Sequence, residues 1–149
     1  SVPEKAENFL RGRLKDNLLF VSQTDVGNPH LVVALKSEID DYARVGELLQ
    51  TKDFFEDGIN VHFCVLGENE IKVKHFERGA GVTLSCGTGA VAVASAFIQK
   101  TFFSEAEKIK ISPPGGKIFV LSHAGNYFLS GKISFVFDGV YYEEEEEND

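Results

Sequence analysis

The 149-residue chain has no methionine and only two cysteines, and no apolar run in it approaches the length of a membrane-spanning helix. Two cysteines, Cys64 and Cys86, are too few for a disulfide framework, and no histidine is spaced with them as a zinc ligand set, so neither a bound metal nor a cofactor is expected. The scarcity of cysteine points to a reducing compartment. With no methionine, Ser1 need not be a natural start, so the lack of a leader segment adds only lightly to the expectation of a cytoplasmic protein. No basic stripe is present to neutralise phosphates, which argues against nucleic acid as a partner, and nothing suggests a membrane.

The acidity that is present is mostly local. The net charge of −8 falls to −2 once the six acids of the closing "EEEEEND" are set aside. Residues 141–149 therefore read as a solvated, disordered acidic tail behind a single domain over 1–140. Composition is otherwise that of an ordinary soluble protein, 43% hydrophobic and 26% charged.

Along the domain, "PEKAENFLRGRL" reads as a short amphipathic helix or lead-in. "NLLFVSQT" and "HLVVAL" read as strands flanking the turn "DVGNP". In "IDDYARVGELLQ", Ile39, Tyr42, Val45, Leu48 and Leu49 recur at helical spacing. "INVHFCVL" and "EIKVKHFE" form strands joined at "GEN", and "KIKI", "KIFVL", "NYFLS" and "ISFVF" are further short strands. One long helix remains, about Thr88 to Lys100, and it is apolar on every side, as a helix enclosed by protein must be. The economical architecture is α+β: a curved, mostly antiparallel sheet wrapped around that central buried helix.

Ahead of this helix lies "ERGAGVTLSCGTGAVAVASAF", which sets a cysteine between glycines at the mouth of the apolar run. A helix start leaves its first backbone N–H groups unpaired and carries the positive end of the macrodipole. Either a thiolate or a ligand carboxylate is favoured there. Cys86 is thus a candidate reactive thiol with a lowered pKa, and the N–H groups of Gly87 and Thr88 are a candidate carboxylate grip. A structural cysteine would sit more comfortably inside the run.

"ERGAGVTLSCGTGA" closely resembles the second-half signature of diaminopimelate epimerase, a cofactor-independent amino-acid epimerase. "VGNPHLVV", "GINVHF" and "FVFDG" extend the likeness in the family's order. Val82, where the family usually has Glu, and Ser130 to Ile133 depart from the pattern. The resemblance implies that Cys86 is one of two thiols exchanging the α-proton of diaminopimelate, with Gly87 and Thr88 holding its carboxylate. It implies that Asn28 and Asn60 hydrogen-bond the substrate, and that Glu77 and Arg78 bind its distal end or polar surroundings. It also implies that His30, with Glu77, helps set the protonation of the thiol. By residue type alone, Asn28 before Pro29 also suits a turn, Asn60 a strand start and Glu77-Arg78 a surface ion pair. His62, His75 and His123 read as ordinary strand or loop residues, and Phe137 as a core residue.

Racemisation without a cofactor is easiest with two acid–base groups on opposite faces of one carbon. Cys64 shares a strand face with Asn60 and His62 but lies about 13 Å beyond Asn60, at roughly 3.3 Å per residue, which is too far to serve the same carbon. It reads as core. In the family the second thiol belongs to a homologous first half with a Cys-Gly-Asn-Gly loop, and nothing in this chain resembles that half. The expectation is a carboxy-terminal half whose partner is the missing amino-terminal half, inactive alone, with a two-copy homodimer presenting two Cys86 thiols as a further option. A related racemase for proline or histidine, or a non-catalytic unit that binds carboxylates, are the competing readings.

Overall fold

The computed structural model describes residues 1–142; residues 143–149, and with them most of the expected acidic tail, lie outside the described residues. Three helices and eight strands follow one another as α1 (Glu4–Leu14), β1 (Leu18–Asp25), β2 (Pro29–Leu35), α2 (Tyr42–Leu49), β3 (Asn60–Leu66), β4 (Ile71–Glu77), β5 (Gly81–Thr83), α3 (Gly87–Gln99), β6 (Lys108–Ser112), β7 (Ile118–His123) and β8 (Asn126–Gly131). The strands form one sheet in the order β1-β2-β3-β4-β6-β7-β8, with β5 folded back on β4. Only β2–β3 and β4–β6 pair parallel; every other pairing is antiparallel.

The sheet curls around α3, which touches β1, β2 and β3 on one side and β6, β7 and β8 on the other. Alanine and valine make this possible. Ala90, Ala92, Val93, Ala94 and Ala96 are all fully buried, and their small side chains let strands approach from several directions. Strand alternation sends Val32, Ala34, Cys64, Val73, Ile109, Ile111 and Val120 inward onto the helix. The intervening residues of β2 and β3 (Leu31, Val33, Val61 and Phe63) pack outward against Leu10 of α1 and Val45 and Leu49 of α2. Because α1 and α2 cover their outer side, β2 and β3 are buried on both faces, as strands paired in parallel usually are. The expected α+β architecture is therefore present, with an outer helical layer added over its first half.

Two expectations about the carboxy-terminal region are corrected. "ISFVF" forms no strand: regular structure among the described residues ends at Gly131. Phe137 is not core but 78% exposed, and Ile133, Phe135 and Val136 beside it are exposed as well. A strand needs a neighbour to satisfy its backbone groups, and among the described residues no strand pairs with residues 132–142. β8 itself leaves Phe128 and Leu129 largely exposed. Exposed apolar side chains are thus concentrated in β8 and the segment that follows it.

Candidate active site

Cys86 caps α3. Its extended backbone (φ −143°, ψ 115°) turns the chain into the helix, its carbonyl accepts from Ala90 N–H at 2.9 Å, and its Sγ accepts from Gly89 N–H at 3.3 Å. Thr88 Oγ1 lies 3.6 Å from the same sulfur. The loop that delivers the thiol is fixed from outside, because Gly115 N–H donates to Leu84 O at 2.7 Å. Gly87 and Thr88 stand exposed on the first turn, so their backbone N–H groups face outward from the helix end.

Gly89 has a strict steric reason. A Cβ there would stand 2.5 Å from His62 Cε1 and 3.0 Å from both His62 Nε2 and Cys86 Sγ. The imidazole and the thiol thus occupy the space a side chain would take. Gly89→Ala is expected to destabilise the chain by roughly 1–3 kcal/mol through overpacking, and to displace the ring or the sulfur. Urea unfolding measures the first effect, and an unchanged midpoint would show that the site yields more easily than its packing implies.

The thiol is not acidified as its helix position suggests. Burial raises its pKa above the ordinary thiol value, and the Glu77 carboxylate adds to the rise, outweighing the opposing hydrogen bonds from Thr88 and the Gly89 amide. Glu77, at the end of β4, accepts a hydrogen bond from Thr83 Oγ1 of β5, which holds its carboxylate in this region. Cys86 in this chain is accordingly a protonated thiol at neutral pH. Its alkylation by iodoacetamide at pH 7 is expected to be slower than that of free cysteine and to accelerate at alkaline pH, as mass spectrometry across a pH series can read. Faster reaction at pH 7 would contradict that charge balance. Cys64 is wholly buried on the inner face, and burial pushes its thiol far up, in keeping with its reading as core.

The remaining candidates gather at the ends of β2, β3 and β4. His30 pairs with Asn60 across the parallel β2–β3 ladder. Asn60 is committed to the backbone: its Nδ2 donates to Pro29 O at 3.1 Å and its Oδ1 accepts from Arg78 N–H at 3.0 Å, so it fastens β2 to the end of β4. The guanidinium of Arg78 donates to Asp57 O at 3.1 Å. Asn28 lies in the turn between β1 and β2, and its Oδ1 is 2.9 Å from His30 Nε2. Val82, the departure from the family pattern, is half-exposed on β5. Asp25, Val26, Thr88, Val91 and Tyr127 line a groove beside the helix end.

The reading of His62 and His75 as ordinary residues is corrected. Both are fully buried on the inner face, in a row with His30. His30 Nδ1 is 2.7 Å from His62 Nε2, and His62 Nδ1 is 2.7 Å from His75 Nδ1. Burial lowers the pKa of all three, against the pull of Glu77 and Asp25 on His30 and of Glu77 on His75; His62 falls well below its ordinary value and His75 to about 4. His30 therefore hydrogen-bonds to Asn28 and His62, and it is His62 that packs against Gly89 beside the thiol. The signal available in sequence was alternation, which puts His62 and Cys64 on one face of β3. His123 ends β7 and is exposed.

Among the described residues, no helix is long and apolar enough to cross a membrane, and no group of three or more His, Cys, Asp or Glu could hold a metal ion.

The model of the diaminopimelate epimerase family matches residues 22–136. The diaminopimelate epimerase of Rickettsia prowazekii is 38% identical over 120 residues, and that of Rickettsia bellii 39% over 118. These spans are 80% and 79% of this chain but 44% and 43% of the relatives, so the chain covers less than half the length of the enzymes it matches. Among solved structures, a phenazine biosynthesis PhzC/PhzF protein from Clostridium difficile is similar at a TM-score of 0.55 and 21% identity, over 72% of this chain and 40% of that one. A PhzF-family protein of Bacillus anthracis follows at 0.53 and 17%, over 75% and 38%. Those likenesses speak for the fold alone. On the strength of the family match and the Rickettsia relatives, the chain belongs to the diaminopimelate epimerase family.

Proposed function

We propose that this chain is the carboxy-terminal half of a diaminopimelate epimerase and supplies one of the two thiols that exchange the substrate's α-proton. The observation that carries the reading is the placement of Cys86: a protonated thiol at a helix end whose outward N–H groups suit a carboxylate. Two-base exchange needs one thiolate to remove the proton and one thiol to deliver another from the opposite face. A raised pKa suits Cys86 to the delivering role, with Glu77 keeping the sulfur protonated until substrate arrives. The histidine row, neutral at pH 7, leaves the proton chemistry to the thiol. Gly87 and Thr88 would bind the α-carboxylate, and Asn28, Glu77, Arg78 and the second Nδ2–H of Asn60 the remaining polar groups of the substrate, with His30, beside Glu77, shaping the site's protonation. No cofactor is required by this chemistry.

The partner is proposed to be the amino-terminal half carrying the second thiol. Two observations support it: the relatives are about twice as long, and Phe128, Leu129 and residues 133–137 expose an apolar strip that a second half would cover. The place of action is proposed to be the cytoplasm, in amino-acid and lysine biosynthesis. The chain alone is expected not to interconvert LL- and meso-diaminopimelate. Turnover by the purified chain at a concentration where light scattering finds a monomer would overturn the half-enzyme reading. Turnover that appears only as the chain dimerises would favour two copies supplying two Cys86 thiols instead.

A further inference from the structure

The row of histidines admits a proton count that closes. Three neutral imidazoles carry three N–H protons, and the row has three contacts to fill: His30 Nε2 to Asn28 Oδ1, His30 Nδ1 to His62 Nε2, and His62 Nδ1 to His75 Nδ1. An amide oxygen only accepts, so the His30 proton is on Nε2. Its Nδ1 is then bare and must receive from His62 Nε2–H. The Nδ1 of His62 is bare in turn and receives from His75 Nδ1–H. One ring nitrogen is left over, His75 Nε2, and that atom is buried with no hydrogen-bond partner among the described residues. The opposite direction would turn the Asn28 NH2 group inward and strand an N–H at His75 with nothing to accept it, a rarer and costlier defect than a bare acceptor.

We propose that His62 and His75 are positioning residues whose one-way hydrogen-bond row holds the Asn28 amide with its oxygen toward His30 and its NH2 group free for a ligand, making Asn28 a donor to a carboxylate. All links reverse together or not at all, so the far end of the row, on β4, governs an amide in the β1–β2 turn. Gly89 completes the arrangement by leaving the His62 ring room beside Cys86. The ligand in this statement rests on the proposed amino-acid substrate; the direction of the row does not.

Histidine labelled with 15N reports the tautomers directly, in long-range 1H–15N spectra of the chain at pH 7 without substrate. The expected pattern is Nε2–H on His30 and His62 and Nδ1–H on His75. An Nδ1–H on His30 would overturn the proposal, whatever the enzyme turns over. His75→Met tests the transmission, because a thioether of similar volume accepts weakly and cannot donate. The reverse direction then strands no N–H at position 75 and gives His62 Nδ1–H a weak acceptor, so the preference is weakened and the Nδ1–H population of His30 is expected to rise although nothing adjoining it has changed; an Nδ1–H population no higher than wild type in a folded variant would also overturn the proposal. The ligand arm uses Asn28→Asp in the two-half enzyme. A carboxylate still receives the His30 proton but offers no N–H outward, so KM for diaminopimelate is expected to rise about tenfold or more. An unchanged KM would overturn the donor assignment, whereas an inactive wild-type two-half enzyme would count against the proposed function instead.

Discussion

Replacing Cys86 with serine is expected to lower epimerisation by the two-half enzyme about 10²–10⁴-fold, the usual worth of a positioned acid–base group. Serine keeps the cap, since a hydroxyl also accepts from Gly89 N–H, so the helix end and its carboxylate grip survive. What disappears is a thiol that can give up and regain a proton during the reaction, which a far less acidic hydroxyl cannot. KM is therefore expected to change little while kcat falls, and the loss follows from chemistry rather than from folding. A variant that retained even a tenth of wild-type kcat would remove Cys86 from the mechanism.

Acid is expected to undo the fold through the histidine row, by about 3 kcal/mol from His75 alone. Unfolded histidines titrate near pH 6.5, whereas burial holds His75 near 4, and His30 and His62 are lowered too. Above pH 6.5 both states are neutral and the row contributes no pH dependence. Below it the unfolded chain takes up protons that the folded chain refuses, so stability declines as the pH falls from about 6.5 toward 4. The groups facing the row that oppose this are Glu77 and Asp25, whose carboxylates pull His30 upward, Glu77 acting on His75 as well. Urea unfolding from pH 7.5 to 4.5 should show the decline, and removing His75 should flatten it by about 1.4 kcal/mol per pH unit. A wild-type profile flat through this range would mean that the rings are charged or wet in the folded state.

The difference between what the sequence made legible and what it did not has a physical cause in each case. The buried helix could be read because Ala and Val fill consecutive positions of α3, and the glycines around Cys86 signalled a helix mouth with a thiol in it. The inward face of β3 could be read from alternation, which correctly retired Cys64 to the core. The histidine row could not be read, because its members lie 32 and 13 residues apart and meet only through the parallel β2–β3 ladder and the β3–β4 hairpin. Neither pairing leaves a mark in composition. The direction of the thiol's pKa was equally hidden: helix position argued for acidity, but burial and the neighbouring Glu77 carboxylate, contributed by a different strand, prevail. "ISFVF" has the right residues for a strand and, among the described residues, lacks a neighbour to make it one.

The most direct test is to follow the α-hydrogen of LL-diaminopimelate by NMR in D2O, with the chain alone and with the chain joined to an amino-terminal half bearing the second thiol. Deuterium is expected to enter only when both halves are present. Deuterium entering with the chain alone, at a rate abolished by Cys86→Ser, would contradict the half-enzyme reading, because a single chain would then hold every group that the proton exchange needs.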